Sequence, residues 1–408
     1  MRLQNAMRIG VGKREFLAGL NPETQFLLRC LEVNSTFRPS DFDQFDKNTF
    51  LLTAENHRLT NIIYTTLKTN HSFPIHIKNC LRERYVANKL RMLSYMAELC
   101  RVLKILNVNR IKAVALKGPL LGHLYYDDYT QRECKDLDIL VHETDVQKAY
   151  EILLDLGYNL SNRLWNSPKQ KAIYDKTYYH YNLYSSKTNV QIELHWRLNA
   201  SGSDSIIKSK SSWDTLPVIQ ACGQTIPILP RNDMFIYLCI HGGMHQWKRL
   251  FWLVDIVRII EREDADFLAK IFNQLSRKSE KRYVLEACHL AYVIFGIDLH
   301  PSILEAIEKD TNIGRLSKVS IFSMSNISDV YLSPLSSFKT FSTAIHKFIK
   351  FYWSAIYLDG YKAIYTSFSN FFINPAYWAI YSFRDSLFLL NYFAAPFLWI
   401  YTLFNKVK

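Results

Sequence analysis

The spacing of hydrophobic and polar positions divides the chain into helical ends and a middle that contains strands. Apolar positions recur at helical spacing over residues 15–20, 24–31 and 75–106, and again beyond residue 231. From residue 107 to about residue 230 the period shortens to the alternation that is typical of strands. This order of elements predicts an α+β fold with its strands in the central part.

Capping residues predict the ends of two further helices. A helix is expected from Thr144, which would cap it, to Leu156. Another is expected over residues 234–241, with Asn232 or Asp233 as its cap.

One predicted strand carries two aspartates. Within residues 136–141, Asp136 and Asp138 share one face of the strand, while the other face is apolar. At an effective dielectric constant near 20, two carboxylates about 4 Å apart repel each other by roughly 4 kcal/mol. A fold keeps such a pair where a cation or solvent relieves the repulsion, so the pattern favours a divalent metal beside it.

A second strand supplies a third acid. Residues 190–196 alternate in the same way, and Glu193 and His195 lie together on the polar face. If the two strands are neighbours in one sheet, Asp136, Asp138 and Glu193 can converge on one or two hard cations. Such oxygen-rich sites typically hold Mg²⁺ together with substrate phosphates, so the pattern is typical of phosphoryl-transfer enzymes.

A candidate phosphate site lies upstream of these acids. The apolar strand 111–116 runs into Lys117-Gly118-Pro119, after which apolar residues follow at helical spacing. Gly118 permits close approach of a phosphate to the backbone, and a helix N-terminus attracts anions. Lys117 would add a positive charge, although this Lys-Gly pair has functional meaning only together with the acids that follow it.

Four blocks of sequence together resemble a known family. They are Leu116-Lys-Gly-Pro-Leu-Leu with Leu124-Tyr125; Arg132 with Asp136-Leu-Asp-Ile-Leu-Val141; Ile192-Glu-Leu-His-Trp196; and His241-Gly-Gly-Met-His-Gln-Trp-Lys-Arg-Leu250 with Trp252-Leu-Val-Asp-Ile256. Their order and spacing are similar to those of the uncharacterised bacterial nucleotidyltransferases of the DNA polymerase β superfamily, over roughly residues 20 to 300.

The resemblance implies a small mixed β-sheet nucleotidyltransferase core flanked by N-terminal and C-terminal α-helical regions. It also implies that Asp136 and Asp138 are metal ligands, and that Glu193 is the third carboxylate, which positions or deprotonates the attacking hydroxyl. One departure from the wider superfamily stands out. Where a Gly-Ser pair usually opens the helix and helps to hold the triphosphate, this chain has Lys117-Gly118, and Lys117 would substitute as the phosphate contact.

Arg132 and His195 have two interpretations each. Arg132 precedes Asp136 by four residues and would either hold phosphates or neutralise Asp136. His195 would either be a satisfied structural side chain or orient the nucleophile and contact phosphate. The resemblance favours a place in the site for both.

Two pairs of basic side chains lie within residues 241–249. His241 and His245 are four residues apart and would face the same way on a helix. Zinc is not expected there, because no acid follows His241 and no third ligand is evident. Packing, capping or substrate orientation is the better interpretation, and the resemblance places both histidines in the active-site cleft. Lys248 and Arg249 are either solvated or phosphate clamps.

Length and composition support several domains. The 408 residues are 49% hydrophobic, which is enough for substantial cores. The expected regions are a helical N-terminal region (1–105), the nucleotidyltransferase catalytic core (106–230), a helical domain packing on the active site (231–330) and an aromatic, basic helical C-terminal region (331–408). A Ser-rich run at residues 201–212 is the candidate for a mobile loop beside the site.

The predicted compartment is the cytoplasm. The seven cysteines are scattered and lack CxxC spacing, which favours reduced thiols. The first ten residues lack the long apolar core of a secretory signal. The net charge of +13 suits nucleic acid, an anionic membrane surface or a polyanionic substrate, without choosing among them.

The C-terminal region differs from the rest of the chain. Residues 331–408 contain 24 aromatics but only two acids, Asp359 and Asp385. The uncharged run 387–404 is close to spanning length, yet Pro396 and polar residues interrupt it, so a buried helical subdomain is expected. The alternative is peripheral contact with the inner face of the membrane through a basic, aromatic surface.

The predicted activity is metal-dependent nucleotidyl transfer. A nucleotidyl group would move from a nucleoside triphosphate such as ATP to an unidentified hydroxyl or phosphate acceptor, with Mg²⁺ or Mn²⁺ as cofactor and release of pyrophosphate. RNA, protein, sugar, lipid and small metabolites all remain open as acceptors. Two alternatives remain: a non-catalytic nucleotide- or RNA-binding module of the same fold, and a membrane-associated accessory protein of cell-surface polymer assembly.

Overall fold

The computed structural model describes residues 17–32, 37–162, 165–199, 213–325, 356–357 and 372–404. The chain divides into two compact units, which we describe separately. A helical unit comprises residues 1–100, 116–135 and 229–332, and a sheet unit comprises residues 101–115, 136–228 and 333–408. The Ser-rich run at 201–212 lies outside the described residues.

The helical unit consists of helices joined by short turns. They are α1 (Pro22–Leu31), α2 (Lys47–Asn56), α3 (Thr60–Leu67), the first part of α4 (Ile75–Val108), α5 (Gly118–Tyr125), α8 (Arg231–Met244), α9 (Leu250–Ile260), α10 (Phe267–Gln274), α11 (Lys278–Leu290), a π-helical turn (Ala291–Phe295), α12 (Pro301–Lys309) and α13 (Asn312–Ser325). The helices predicted over 24–31 and 75–106 are thereby confirmed.

Local chemistry explains where individual helices begin. The side chain of Asn21 accepts a hydrogen bond from the amide of Thr24 at 2.8 Å, and Pro22 occupies the first turn of α1. The caps predicted for α8 are wrong. That helix begins at Arg231, and its cap position is Pro230, whose backbone is extended (ψ of 145°) and which provides no side-chain capping hydrogen bond. Asp233 therefore lies inside the first turn.

The sheet unit contains a mixed five-stranded sheet. Its strands are β1 (Ala113–Ala115), β2 (Leu137–Val141), β3 (Asn159–Leu160), β4 (His180–Ser185) and β5 (Val190–His195), in the order β1-β2-β5-β4-β3. Strands β2 and β5 are parallel, and the other pairs are antiparallel. A separate hairpin is formed by β6 (Val218–Ala221) and β7 (Gln224–Pro227). The predicted α+β class is confirmed.

Two helices, α6 (Val146–Asp155) and α7 (Pro168–Thr177), belong to the same unit. Helix α6 contacts β5 and buries Ala149 and Leu153 completely. The predicted helix at this position is confirmed, but Thr144 does not cap it. A 3₁₀ turn over Glu143–Asp145 precedes α6, and the side chain of His142 accepts a hydrogen bond from the amide of Thr144.

The described part of the C-terminal region contains α14 (Pro375–Ile380), a 3₁₀ turn (Asp385–Leu387) and α15 (Leu390–Phe404). The expectation that this last segment is buried is wrong for one side of α15. Phe393 and Phe397, one turn apart, are 75% and 73% exposed, whereas Asn391 and Ala395 are buried. Among the described residues, no helix is both long enough and apolar enough to cross a membrane.

The expectation of reduced thiols is only partly met. Cys30, Cys80, Cys134, Cys239 and Cys288 are free thiols, whereas Cys100 and Cys222 are disulfide-bonded. Sequence spacing reveals only local cysteine motifs such as CxxC. A cysteine that is distant in sequence from the other cysteines therefore gives no sign that it forms a disulfide.

Candidate functional site

The two predicted carboxylate strands lie side by side. In the parallel pair β2–β5, Asp138 is the direct partner of Glu193. Paired residues on neighbouring strands point to the same face of a sheet, so their side chains project together. Asp136 lies just before β2 and is half-buried. Asp138 is therefore part of strand β2, whereas Asp136 precedes the first residue of the strand.

Strand β4 adds a histidine to the same face. It pairs with β5 on the side away from β2, with His180 opposite His195. The two imidazole rings stack with centroids 5.0 Å apart. We call Asp138, Glu193, His180 and His195 the acidic face.

Short contacts connect the members of the acidic face. The Nε2 atom of His195 lies 3.4 Å from Oδ1 of Asp138 and 3.3 Å from Oε2 of Glu193. The side chains of Asp138 and His195 are each 2% exposed, and that of Glu193 is 22% exposed. Two carboxylates thus share one buried imidazole.

The pKa values on this face favour separated charges. Burial alone would raise the pKa of Glu193, but the hydrogen bond from His195 and the charge of His180 hold it below its usual value. Burial alone would lower the pKa of His195, but hydrogen bonds to Asp138 and Glu193 raise it. Anionic carboxylates beside a positive partner are therefore favoured here.

The acidic face contains a group with the donor atoms of a metal site. His180, Glu193 and His195 each place one ligand atom within 4.8 Å of the others. Asp136 and Asp138 are not members of this group, although Asp138 contacts His195. Carboxylate and imidazole donors fit a divalent cation.

Sequence reasoning missed His180, although the sequence contained a signal for it. In His180-Tyr-Asn-Leu-Tyr-Ser185, Tyr181 and Leu183 are buried, and the residues between them are more exposed. This alternation has the period of a half-buried strand. The density of aromatic residues around it, both before and within the strand, hid the pattern.

A different arrangement surrounds the predicted phosphate residues in the helical unit. Lys117 directly precedes α5, which begins at Gly118 with a φ of +70°. A residue with a Cβ would be strained at this φ, so the turn favours glycine. The Nζ atom of Lys117 lies 3.3 Å from Nδ1 of His241 and 5.5 Å from the ring centre of Tyr237.

Arg132 forms a buried ion pair next to this turn. Its guanidinium binds both carboxylate oxygens of Asp255, at 2.9 and 2.8 Å, and donates to the carbonyl oxygen of Gly118 at 3.2 Å. Tyr126 donates a further hydrogen bond to Asp255 at 2.7 Å. The side chains of Arg132 and Asp255 are 2% and 1% exposed. Arg132 therefore anchors the Gly118 carbonyl from inside the protein.

Stacked rings continue this cluster along α8 and α9. His241 contacts His245 at 4.7 Å between ring centres, and His245 stacks on Trp252 at 5.1 Å. The guanidinium carbon of Arg249 lies 5.9 Å from the Trp252 ring centre. We call Lys117, Arg132, His241, His245 and Arg249 the basic cluster. Lys248, half-buried, lies in the turn before Arg249.

The turn between α8 and α9 is conformationally unusual. Gln246 and Trp247 have φ values of +56° and +47°, which are rare for residues with side chains and costly for a bulky one. Trp247 is fully buried, and its indole N–H donates to Glu286 at 3.0 Å. A Cβ on Gly242 would overlap its ring, so the glycine is required for this packing. Trp247 thus fixes the turn that carries His245, Lys248 and Arg249.

The predicted site residues fall into two groups. The sheet unit holds Asp136, Asp138, Glu193 and His195, and the last three are in contact or paired on neighbouring strands. The helical unit holds Lys117, Gly118, Arg132, His241, His245, Lys248 and Arg249. Asp255, which organises the second group, was quoted in the sequence pattern without a role.

Comparison with known proteins identifies one family. The sequence profile of a family described as an uncharacterised nucleotidyltransferase matches residues 43–296. That range includes both the acidic face and the basic cluster. No curated protein and no solved structure matches the chain.

Proposed function

The chain belongs to the uncharacterised nucleotidyltransferase family, whose profile covers more than half of its 408 residues, and on that premise we propose that it is a metal-dependent nucleotidyltransferase of polymerase β type. The reaction would transfer a nucleotidyl group from a nucleoside triphosphate to a hydroxyl or phosphate acceptor. Family membership supports nucleotidyl transfer in general terms, and the residues below support the finer assignment.

The alignment of Asp138 with Glu193 on adjacent parallel strands is the observation that carries this proposal. Neighbouring strands are about 4.8 Å apart. At that separation, and at an effective dielectric constant near 20, two carboxylates repel by roughly 3–4 kcal/mol. His195 lies between the two carboxylates and relieves part of this repulsion, and a bound cation would relieve it further. A divalent cation, Mg²⁺ or Mn²⁺, would neutralise charge on the transferred phosphoryl group.

The chain's own carboxylates would act as follows. Asp138, with Asp136 at the entrance of β2, would serve as a metal ligand. Glu193 would also be a ligand and would accept the proton of the acceptor hydroxyl. The acceptor oxygen would then form a bond to the α-phosphorus, and the bond from that phosphorus to the bridging oxygen of pyrophosphate would break. His195 would orient Glu193.

The basic cluster would bind phosphates. Lys117 and the amide groups at the start of α5 offer a charge and hydrogen-bond donors to an anion. Arg132 would act indirectly, because its guanidinium is committed to Asp255 and to the carbonyl of Gly118. Lys248 and Arg249 would add further phosphate contacts, and His241 and His245 would orient the substrate.

A labelling experiment tests the proposal. Purified protein would be incubated with Mg²⁺ or Mn²⁺, each labelled nucleoside triphosphate and a lysate fraction, and label on any macromolecule or metabolite would be measured. Wild-type protein should transfer label, and Asp138→Asn should reduce transfer by about 10²–10³-fold or more, as loss of a group that stabilises transition-state charge typically does.

The matched control is Asp155→Asn, which changes an exposed carboxylate of α6 in the same unit and should retain full transfer. Full transfer by a folded Asp138→Asn protein would refute the proposal. Tight nucleotide binding without any transfer, unaffected by Asp138→Asn, would instead support a non-catalytic binding module.

A further inference from the structure

We propose that His180, His195 and Glu193 form a binding site that selects a first-row transition-metal ion over Mg²⁺. This deepens the proposed function, on which it rests for the role of Glu193, and it assigns a role to His180.

The donor atoms carry the first step of the argument. Mg²⁺ prefers oxygen ligands in octahedral geometry and keeps several of its waters, so a site with two imidazoles is poorly suited to it. Imidazole nitrogen suits transition metals such as Zn²⁺, Fe²⁺ and Ni²⁺. Two histidines and one glutamate also form a known type of three-ligand zinc site that leaves one position open.

The geometry carries the second step. Ligand distances of about 2.0–2.2 Å place the ligand atoms of one ion about 3–4.4 Å apart. The three ligand atoms here lie within 4.8 Å of one another, and tetrahedral geometry needs about 3.4 Å, so side-chain shifts of about 1 Å would close the site. Two of the three residues are held opposite each other by the pairing of β4 with β5. The site therefore needs rotation of side chains and no change of strand pairing.

The surrounding charge carries the third step. Asp138 contacts His195 from the neighbouring strand, with 3.4 Å between Oδ1 and Nε2. Its carboxylate adds a second negative charge beside Glu193 without adding a nitrogen ligand. A divalent cation would be attracted by both charges, while the two imidazoles would decide which cation is retained.

Direct metal binding tests this proposal without nucleotide. Full-length protein carrying Cys80→Ser, which removes an exposed competing thiol, would be stripped of metal and titrated with Co²⁺, followed by visible absorbance. Mg²⁺ would be added as competitor. We expect one Co²⁺ per chain, bound at least about 100-fold more tightly than Mg²⁺.

His180→Gln should weaken Co²⁺ binding by at least about tenfold, because even residues that only support a metal ligand typically contribute that much. It should leave Mg²⁺ affinity within about twofold. His123→Gln, which changes an exposed histidine of α5, is the matched control and should bind Co²⁺ like the parent protein. Unchanged Co²⁺ affinity in His180→Gln, or no preference over Mg²⁺ in the parent, would overturn the proposal.

A measurement on unmutated residues covers the case in which His180→Gln does not fold. Pulsed electron paramagnetic resonance of the Cu²⁺-loaded parent protein counts coordinated imidazoles, and two are expected. One or none would overturn the proposal. Because neither measurement contains nucleotide, metal selection can stand when transfer activity fails, and transfer activity with Mg²⁺ can stand when metal selection fails.

Discussion

The acidic face and the basic cluster both bury charged side chains, but different forces hold them. On the acidic face, sheet register aligns two carboxylates that repel each other, and His195 lies between them. In the basic cluster, the central cation Arg132 is paired with the carboxylate of Asp255 and bound to the carbonyl oxygen of Gly118. The carboxylates of the acidic face are therefore balanced by an imidazole, whose place a metal ion could take, whereas the core of the basic cluster is neutralised by a permanent guanidinium–carboxylate pair.

This difference predicts that the same change, Asp to Asn, lowers the free energy of unfolding by different amounts in the two regions. Asp255→Asn leaves the Arg132 charge buried without a carboxylate and should lower the free energy of unfolding by about 3–5 kcal/mol. Asp138→Asn removes one of the two carboxylates that contact His195 but leaves Glu193 beside it, so the loss should be smaller, about 1–2 kcal/mol. Urea denaturation of both variants measures the contrast.

The control for this pair is Asp127→Ala, which breaks an exposed ion pair with Arg262 and should have little effect. Equal losses of stability in Asp138→Asn and Asp255→Asn would end the distinction between the two regions.

Lys117 tests whether the basic cluster has a ligand-binding surface beyond its neutralised core. If Lys117 contacts a phosphate, Lys117→Gln should raise the KM for nucleoside triphosphate by about 10–100-fold, equivalent to the loss of one charged hydrogen bond worth about 1.5–3 kcal/mol. Initial rates over a range of nucleotide concentrations measure the change. Lys270→Gln, at an exposed position of α10, should leave KM unaltered. An unchanged KM in Lys117→Gln would remove the residue from the phosphate site.

Two glycines test whether Trp247 holds the basic cluster rigidly. Gly242→Ala would overlap the Trp247 ring and should destabilise the protein by about 1–3 kcal/mol. Gly314→Ala, in helix α13, meets open space and should be neutral or stabilise by up to about 1 kcal/mol. Thermal denaturation separates them. Similar melting temperatures for the two variants would mean that the ring can move aside at no cost.

Glu286 provides a pH-dependent effect and sharpens the contrast with Glu193, whose pKa is lowered. Complete burial raises the pKa of Glu286 from 4.5 to about 8, although hydrogen bonds from Ser320 and Trp247 oppose the rise. Between pH 4.5 and 8, Glu286 therefore keeps its proton in the folded protein, whereas it has lost that proton in the unfolded chain. Over this window stability should fall by about 1.4 kcal/mol per pH unit from this group, and level off above it.

The Glu286→Gln variant lacks this titration. Its unfolding free energy relative to wild type should therefore change with pH between about 5 and 8 and be constant outside that range. Equilibrium denaturation at several pH values measures the difference. A pH-independent difference would show that Glu286 has an ordinary pKa.

Short-range patterns made part of the acidic face predictable. Alternation in residues 190–195 placed Glu193 and His195 together, and the apolar residues after Asp136 predicted β2. The sequence alone could not predict that these two strands pair, because their register depends on contacts between residues more than 50 positions apart. Asp136 was expected inside the strand and lies before it, at the point where the chain enters the sheet.

The supports of the basic cluster were beyond sequence reasoning. Arg132 pairs with Asp255 over 123 positions, and Trp247 binds Glu286 over 39 positions. No local sequence pattern around Asp255 or Glu286 indicates these contacts. The positive φ values at Gln246 and Trp247 are equally hidden, since neither residue type favours them and only the packing around Trp247 enforces them.

The parallel register of β2 and β5 has a genetic consequence. Successive residues of a strand point to opposite faces, so one codon inserted between Val190 and Glu193 would turn Glu193 and His195 towards the apolar side and bring hydrophobic residues to the polar one. Two inserted codons would restore the face but displace both residues by one full repeat from Asp138. Insertions and deletions should therefore accumulate in the connecting segments of related genes and be absent from the six codons of β5 (Val190–His195).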